Sequence, residues 1–402
     1  MTEIKFSIYG EASPLENHEF LLKEFETLRR DTVQVSRMTW DDAWPQLLNY
    51  SLHGGSPDIS HIGSIWTSSL VGMEVLRLFN HAEINTMGGV EAFFAPCWQN
   101  AMLSERPAAW GIPFGAYIYV VLYRRDLLQK AGIDEQTAFS SAPAMIQTLE
   151  RLRTAGVPSP IIMPSGTHYR PRVHIAVSWI WGAGGDYISA DGREILFDEP
   201  EALGGLETFF ELYRHMARSE YNLPPAECLR RFAEGDSAVT VMGSGSISEI
   251  SQRSLKSGNL DNIGIAPLPG VTWVGGSNFV VWKETRLNPY KEQTALALAE
   301  FLTSRDVQLK YAATVGAIPA RIEVLPRVEY GLPGANQVFD KALRAGRAYQ
   351  PVRLWVRFLG ELSNTFDNIT AEILAEPALD LGQTLSNHLA PLARKFRLVL
   401  RR

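Results

Sequence analysis

The sequence predicts an α/β protein of more than one domain, and three observations predict it. Strand-like and helix-like segments alternate from the first residues onward. At 402 residues the chain is too long for one ordinary core, so two domains, or three, are expected. Hydrophobic residues at 46% and charged residues at 20% are globular values, which leaves no room for a largely disordered or collagen-like chain.

Taken in order, "IKFSIYG" alternates like a strand and stops at Gly10. "ENHEFLLKEFETLRR" places Phe20, Leu21, Phe25 and Leu28 at helical spacing. "TVQVSRM" is a second strand, followed by a helix from about Asp41 to His53 that stops at Gly54-Gly55. "SPDISHIG" is a third strand entered through a Pro-Asp turn, and this rhythm implies a parallel sheet covered by helices. Tyr117 to Tyr123 is a β-rich run passing into a short helix from Asp126 that Gly132 terminates. A helix over 143–155 ends at Gly156, and "PIIM" reads as a short buried strand. Helices are expected near 172–181, 199–217 and 225–234, the last two separated at Pro224-Pro225. "SAVTVMG" supplies another buried strand, and "IGIAPLPGVTWVGGSNFVVWKET" supplies two more around a proline and glycine turn. A helix over 291–303 and amphipathic runs near 354–374 and 380–395 complete the chain.

Several function classes are excluded at this level. The formal net charge is -6 and the lysines and arginines are scattered, so no electrostatic case exists for nucleic acid or an anionic membrane. Cys97 and Cys228 stand far apart, so they read as free thiols and not as a zinc pair. No apolar run reaches the length of a membrane span. The start, "MTEIKFSIYG", has no charged n-region or apolar h-region and reads directly into a strand. Either the protein is cytoplasmic or an export signal has been removed, and the sequence does not separate the two.

Catalytic signatures are absent in the same way: no GxxxxGK[ST], no GxGxxG after a strand, no GxSxG and no HExxH. His168 and His174 are not at a spacing that shares a helical face, and Asp41-Asp42 read as carboxylates placed at a helix start. Aromatic side chains beside turn residues are the positive signal: Trp40, Trp66, Tyr117, Trp179, Trp181 and Trp273 fall where strands or loops end. A ring offers a flat apolar face and, in Trp and Tyr, a polar edge. A sugar is complementary, with C–H faces to stack on and a rim of hydroxyls. In "FAEGDSAVTVMGSGSISEI" a glycine and serine loop follows a buried strand, with no lysine at P-loop spacing. Ser246 and Glu249 form S-x-x-E, which predicts a helix starting at Ser246. Gly243 and Gly245 would let a ligand approach the backbone and Ser244 would bind its hydroxyls, or the loop is a plain tight turn.

Four segments carry a family resemblance: "SLHGGSPDISHIGSIW", "YVVLYRRDLLQKAGI", "FAEGDSAVTVMGSGSI", and "IGIAPLPG…GGSNFVVWKET…EFLTSRDVQLKYAATVGAIPAR". In number, order and spacing, over most of residues 5 to 325, they resemble the family 1 extracellular solute-binding proteins of ABC importers, the maltose-binding-protein-like group. The chain departs from that pattern twice in its motifs. Ser244-Gly245-Ser246 stands where the family commonly has Trp, and Gln350-Pro351 stands where many sugar-binding members have Arg-Pro. The usual secretion signal is also not seen.

The resemblance implies a two-lobed α/β periplasmic-binding-protein fold of type II, with the ligand between lobes joined by crossover segments. It implies lobe 1 from 1–111 and 268–316 and lobe 2 from 112–267 and 317–402. By position it implies a ligand-binding set of Tyr9, Glu11, Trp40, Ser64, Trp66, Tyr117, Trp179, Trp181, Gly243, Ser244, Trp273, Gly275, Gly276, Asn278 and Arg321. Within it Trp66, Trp181 and Trp273 are expected to stack, and Glu11, Asn278 and Arg321 to bind hydroxyls. The expected function is capture of a carbohydrate, an oligosaccharide, for ABC transporter permease subunits, by a periplasmic or extracellular monomer. No catalysis, cofactor, metal, nucleic acid or membrane insertion is expected. Three rivals remain: a polyol phosphate or other anion, which would need Arg37 and Arg321; a cytoplasmic α/β enzyme; and a sensor subunit with the same ligand.

Overall fold

The computed structural model describes residues 2–9, 15–103, 108–166, 169–256 and 258–400. Glu11 and His168 lie outside the described residues. The chain divides into two compact units: unit 1 is Met1–Tyr117, Val274–Glu329 and Pro351–Val356, and unit 2 is Ile118–Trp273, Tyr330–Gln350 and Arg357–Arg402.

In unit 1, β1 (Glu3–Tyr9), α1 (Leu15–Arg29), β2 (Thr32–Met38), α2 (Trp40–His53), β3 (Ile59–Gly63) and α3 (Ser64–Gly72) follow the expected alternation. Short helices α4 (His81–Thr86) and α5 (Ala95–Gln99) lead to β4 (Ile112–Arg124), whose first half belongs to unit 1 and second half to unit 2. Unit 2 continues with α6 (Arg125–Lys130), α7 (Ala142–Thr154), β5 (Ile161–Ile162), α8 (Pro171–Gly182), α9 (Pro200–Glu211) and α10 (Pro225–Glu234). Then come β6 (Val239–Gly243), α11 (Ile247–Lys256) and β7 (Ile263–Pro267). The chain returns to unit 1 through β8 (Val274–Val281), α12 (Pro289–Thr303), α13 (Arg305–Val315) and β9 (Ile318–Pro319). It ends with α14 (Ala335–Ala345), α15 (Trp355–Ala375) and α16 (Leu381–Leu400).

The first three strands are parallel as expected, and strands from later in the chain make the sheets mixed. In unit 1, β1 pairs in parallel with β2 and with β3, while β3 pairs antiparallel with β8. The strand order there is β2-β1-β3-β8-β4, with β9 antiparallel to β4. In unit 2, β6 and β7 both run antiparallel to β4, and β5 runs parallel to β6. Helical crossovers make β1, β2 and β3 parallel. Helices α8 to α10 likewise separate the parallel β5 and β6, whereas β8 enters the unit 1 sheet directly from unit 2 and runs antiparallel to β3.

The unit bounds differ from the expected lobes most after residue 317. Residues 317–329 stay with unit 1, because Gly115 and Ala116 of β4 pair with Pro319 and Ile318 of β9. Gly276 in β8 shows how tightly unit 1 is drawn: its φ is 141°, and a Cβ there would lie 2.0 Å from the Gly115 carbonyl oxygen. Glycine at 276 therefore serves strand approach and not the close approach of a ligand.

Each unit has its own core. In unit 1 every residue of β3 is buried, and Trp282 of β8's end donates its indole N–H to Ser60 Oγ at 2.7 Å. Phe209, Phe210 and Tyr213 pack together in unit 2, with Phe366 of α15 edge-on to Phe210. There the buried Arg172 is bonded to Asp367 and to the Tyr213 hydroxyl, so its charge is compensated as burial demands. Local signals set several ends. Thr39 caps α2 by accepting from the Asp42 N–H, and Asn288 caps α12 ahead of Pro289. α11 begins at Ile247, one residue after the expected start, behind a 3₁₀ turn at Ser244–Ser246. Glu249 pairs with Arg253 one turn on.

Candidate ligand-binding surfaces in each unit

Parallel pairing of β1, β2 and β3 puts their carboxyl ends at one edge of unit 1, where open α/β sheets take ligands. Tyr9 ends β1, Trp40 opens α2 just after β2, and Ser64 and Trp66 open α3 directly after β3. Their rings meet: Tyr9 to Trp40 is 4.9 Å between centroids, Tyr9 to Trp66 is 5.3 Å, and Trp40 to Trp66 is 4.7 Å at 33°. Glycine at 63 makes room for this, since a Cβ would stand 3.1 Å from the Trp40 ring. Trp66 is buried in the unit 1 core, whereas Trp40 is 40% exposed. Ser64 is buried, and its hydroxyl has no hydrogen-bond partner among the described residues. Burial pushes the Tyr9 hydroxyl pKa up, Tyr311 adds to that, and a hydrogen bond with Ser277 opposes it, so Tyr9 stays a neutral phenol. Tyr117, on β4, is 37% exposed.

Two expected hydroxyl-binders of unit 1 are committed elsewhere, and this corrects their roles. Asn278 uses its amide N–H groups on Thr67 Oγ1 at 3.0 Å and the Asn100 carbonyl at 3.1 Å. Arg321 donates to the carbonyls of Thr303 and Met87, pairs with Glu323, and lies over the Phe93 ring at 5.0 Å. Both are buried, so they brace unit 1. Gly275 is buried in β8 beside Gly276.

Unit 2 holds a second aromatic cluster. The His174 imidazole lies flat on Trp273, 4.2 Å away at 13°, and its Nδ1 is 2.8 Å from the Tyr349 hydroxyl. Tyr349 also meets Trp273 at 5.6 Å, Trp181 at 6.0 Å and Tyr187 at 6.2 Å, and Tyr119 approaches Trp273 at 5.9 Å. The indole N–H groups of Trp181 and Trp273 are buried without a hydrogen-bond partner among the described residues. Arg347 covers Trp181, its guanidinium carbon 4.6 Å from the ring, and bonds Asp186 at 2.8 Å.

These contacts revise the expected stackers. Trp179 and Trp181 are two residues apart on α8, so they point to opposite sides of the helix. Trp179 packs into the core on Phe209, 5.4 Å away, and only Trp181 joins the cluster. Trp181 already has a guanidinium over its ring and Trp273 already has an imidazole against it. Gly243 sits in the ladder opposite Tyr119, and the Ser244 hydroxyl accepts from the Ile118 N–H at 3.4 Å. The glycine and serine loop is thus tied to β4. Sequence reasoning set His174 aside as an ordinary histidine and missed Asp186, Arg347 and Tyr349, because each becomes notable only through a partner remote in the chain. Among the described residues, no group of three or more His, Cys, Asp or Glu could hold a metal ion, and no helix is long and apolar enough to cross a membrane.

The chain passes between its two α/β units several times, and each unit carries an aromatic cluster. Residues 21–332 match the bacterial extracellular solute-binding protein family, and the chain belongs to that family. No curated protein sequence matches the chain. Solved structures share the fold. The sugar-binding protein MalE of Xanthomonas citri superposes with a TM-score of 0.80 at 19% identity, over 100% of this chain and 99% of that one. An ABC transporter solute-binding protein of Thermotoga lettingae, bound with alpha-D-tagatose, gives 0.79 at 18% identity over 100% of both chains. Maltose-bound MalE3 of T. maritima gives 0.77 at 18% over 99% of this chain and 100% of that one.

Proposed function

We propose that the protein captures a neutral carbohydrate, an oligosaccharide, and delivers it to the permease of an ABC importer without chemically changing it. The observation that carries this reading is the Tyr9, Trp40 and Trp66 ring group at the carboxyl ends of three parallel strands. Its Trp40 indole is exposed, and Ser64, which opens the same helix as Trp66, has a buried hydroxyl with no hydrogen-bond partner among the described residues. An exposed ring face of this kind is the surface that a pyranose stacks on. Relatives of the same fold bound to tagatose and to maltose support a sugar as the ligand class.

Electrostatics favour a neutral ligand over the anion rival. That rival needed Arg37 and Arg321, yet Arg37 pairs with Glu19 and Arg321 is buried on carbonyls and Glu323. Each guanidinium already has a carboxylate beside it, which lowers its pull on a phosphate. Calorimetry of ligand-free protein against mono- and oligosaccharides tests the reading. Binding heat is expected with one or more sugars, little changed by salt because no charge is being neutralised. Absence of heat with every sugar, or affinity only for a sugar phosphate that collapses in salt, would overturn it.

A further inference from the structure

The geometry points to Arg347 and Asp186 as the pair that determines which sugar unit 2 accepts, by reading two neighbouring hydroxyls. This inference rests on the carbohydrate reading above and adds the residues and the diol chemistry to it.

Three facts support the pair. Arg347 is only partly engaged: of the five N–H donors a guanidinium carries, one bonds Asp186 at 2.8 Å. The others have no protein partner among the described residues, and the side chain is 42% exposed. Asp186 is also part-used, with Oδ1 accepting from the Tyr187 N–H at 2.7 Å and Oδ2 from Arg347. Each carboxylate oxygen has a further lone pair. Free donors and free acceptor capacity therefore stand side by side.

The third fact is rigidity. The Arg347 guanidinium rests on the Trp181 ring, and its backbone N–H donates to the Thr272 carbonyl at 3.0 Å, beside Trp273. Tyr187, next to Asp186, is buried and donates its hydroxyl to the Val173 carbonyl at 2.9 Å. Both members are held by rings and backbone before any ligand arrives, so little ordering is left to be done on binding.

A vicinal diol matches this arrangement. One hydroxyl oxygen accepts from Arg347 while its neighbour donates to an Asp186 oxygen. Asp186 also offsets the charge of Arg347, so the pair gives an acidic sugar less advantage over a neutral one than a lone guanidinium would.

The test is calorimetry on the full chain with the tightest sugar of the panel, its single-deoxy analogues and its uronic acid counterpart. Arg347→Lys keeps the charge but loses the planar fork. It is expected to weaken the parent sugar about 10- to 100-fold, with the melting midpoint near that of the wild type. One deoxy analogue should bind poorly to the wild type yet equal the parent sugar in Arg347→Lys, which is the mark of a shared contact. Asp186→Asn, by freeing the guanidinium charge, should raise affinity for the uronic acid relative to the neutral sugar. Wild-type affinity in Arg347→Lys sinks the proposal. So does a loss that is equal for every analogue and tracks a lowered melting midpoint. Those results leave the carbohydrate reading standing, whereas a wild type that binds no sugar removes that reading first.

Discussion

Single side chains in this protein are decided by what surrounds them. Trp282 and Trp181 are both buried indoles, but Trp282 has Ser60 for its N–H while Trp181 has no protein acceptor. His215 is a sharper case, buried in unit 2 with neither ring nitrogen hydrogen-bonded. Burial, with Arg153 and Arg214 nearby, pushes its pKa down to about 4. The folded state therefore holds His215 neutral, while the unfolded chain protonates it near 6.5. Stability from this group is complete above the unfolded value and is lost as pH falls towards 4. His215→Phe should flatten the dependence of the melting midpoint on pH between about 6 and 4 and leave sugar affinity unchanged. A slope as steep as the wild type's would show that His215 does not titrate on unfolding.

Elements add constraints that no single residue shows. The three parallel strands of unit 1 gather Tyr9, Trp40, Ser64 and Trp66 because their register brings their ends level, Tyr9 lying opposite Met38 and Ile8 opposite His61. β8 imposes a different demand, since its Gly276 backbone passes against Gly115 of β4. Gly276→Ala would put a methyl group into a carbonyl oxygen at a φ of 141° that side chains disfavour. Destabilisation by more than about 2 kcal/mol is expected, read as a lowered urea midpoint. A midpoint equal to the wild type's would mean that the strands separate freely there.

At the scale of the whole molecule, sugar binding and stability are linked. A ligand that binds only the folded chain stabilises it by about 2.7 kcal/mol when present at 100 times its Kd. Thermal melts with the sugar found by calorimetry should rise with concentration along that law. An unmoved melting temperature at saturating sugar would contradict specific binding to the folded state.

The sequence by itself determined the alternation of strands and helices, the two-unit organisation and the family, because these rest on local periodicity, turn residues and motif order. α3 escaped that reading: it is buried on nearly every side, so it has no polar face and no helical period to detect. Strand direction after β3 escaped too, because antiparallel pairing depends on where the chain returns from. Among the candidate site residues, Trp40 and Trp66 were legible from element ends and Tyr9 and Ser64 from the family resemblance, and the rings of Tyr9, Trp40 and Trp66 meet. Asn278 and Arg321 read as hydroxyl-binders, yet Thr67, Asn100, Thr303 and Met87 consume their donors. Only the tertiary structure decided that, just as only it put Arg347 on Trp181 and beside Asp186. A polar side chain's free donors depend on neighbours that lie far away in sequence, and local pattern does not carry that information.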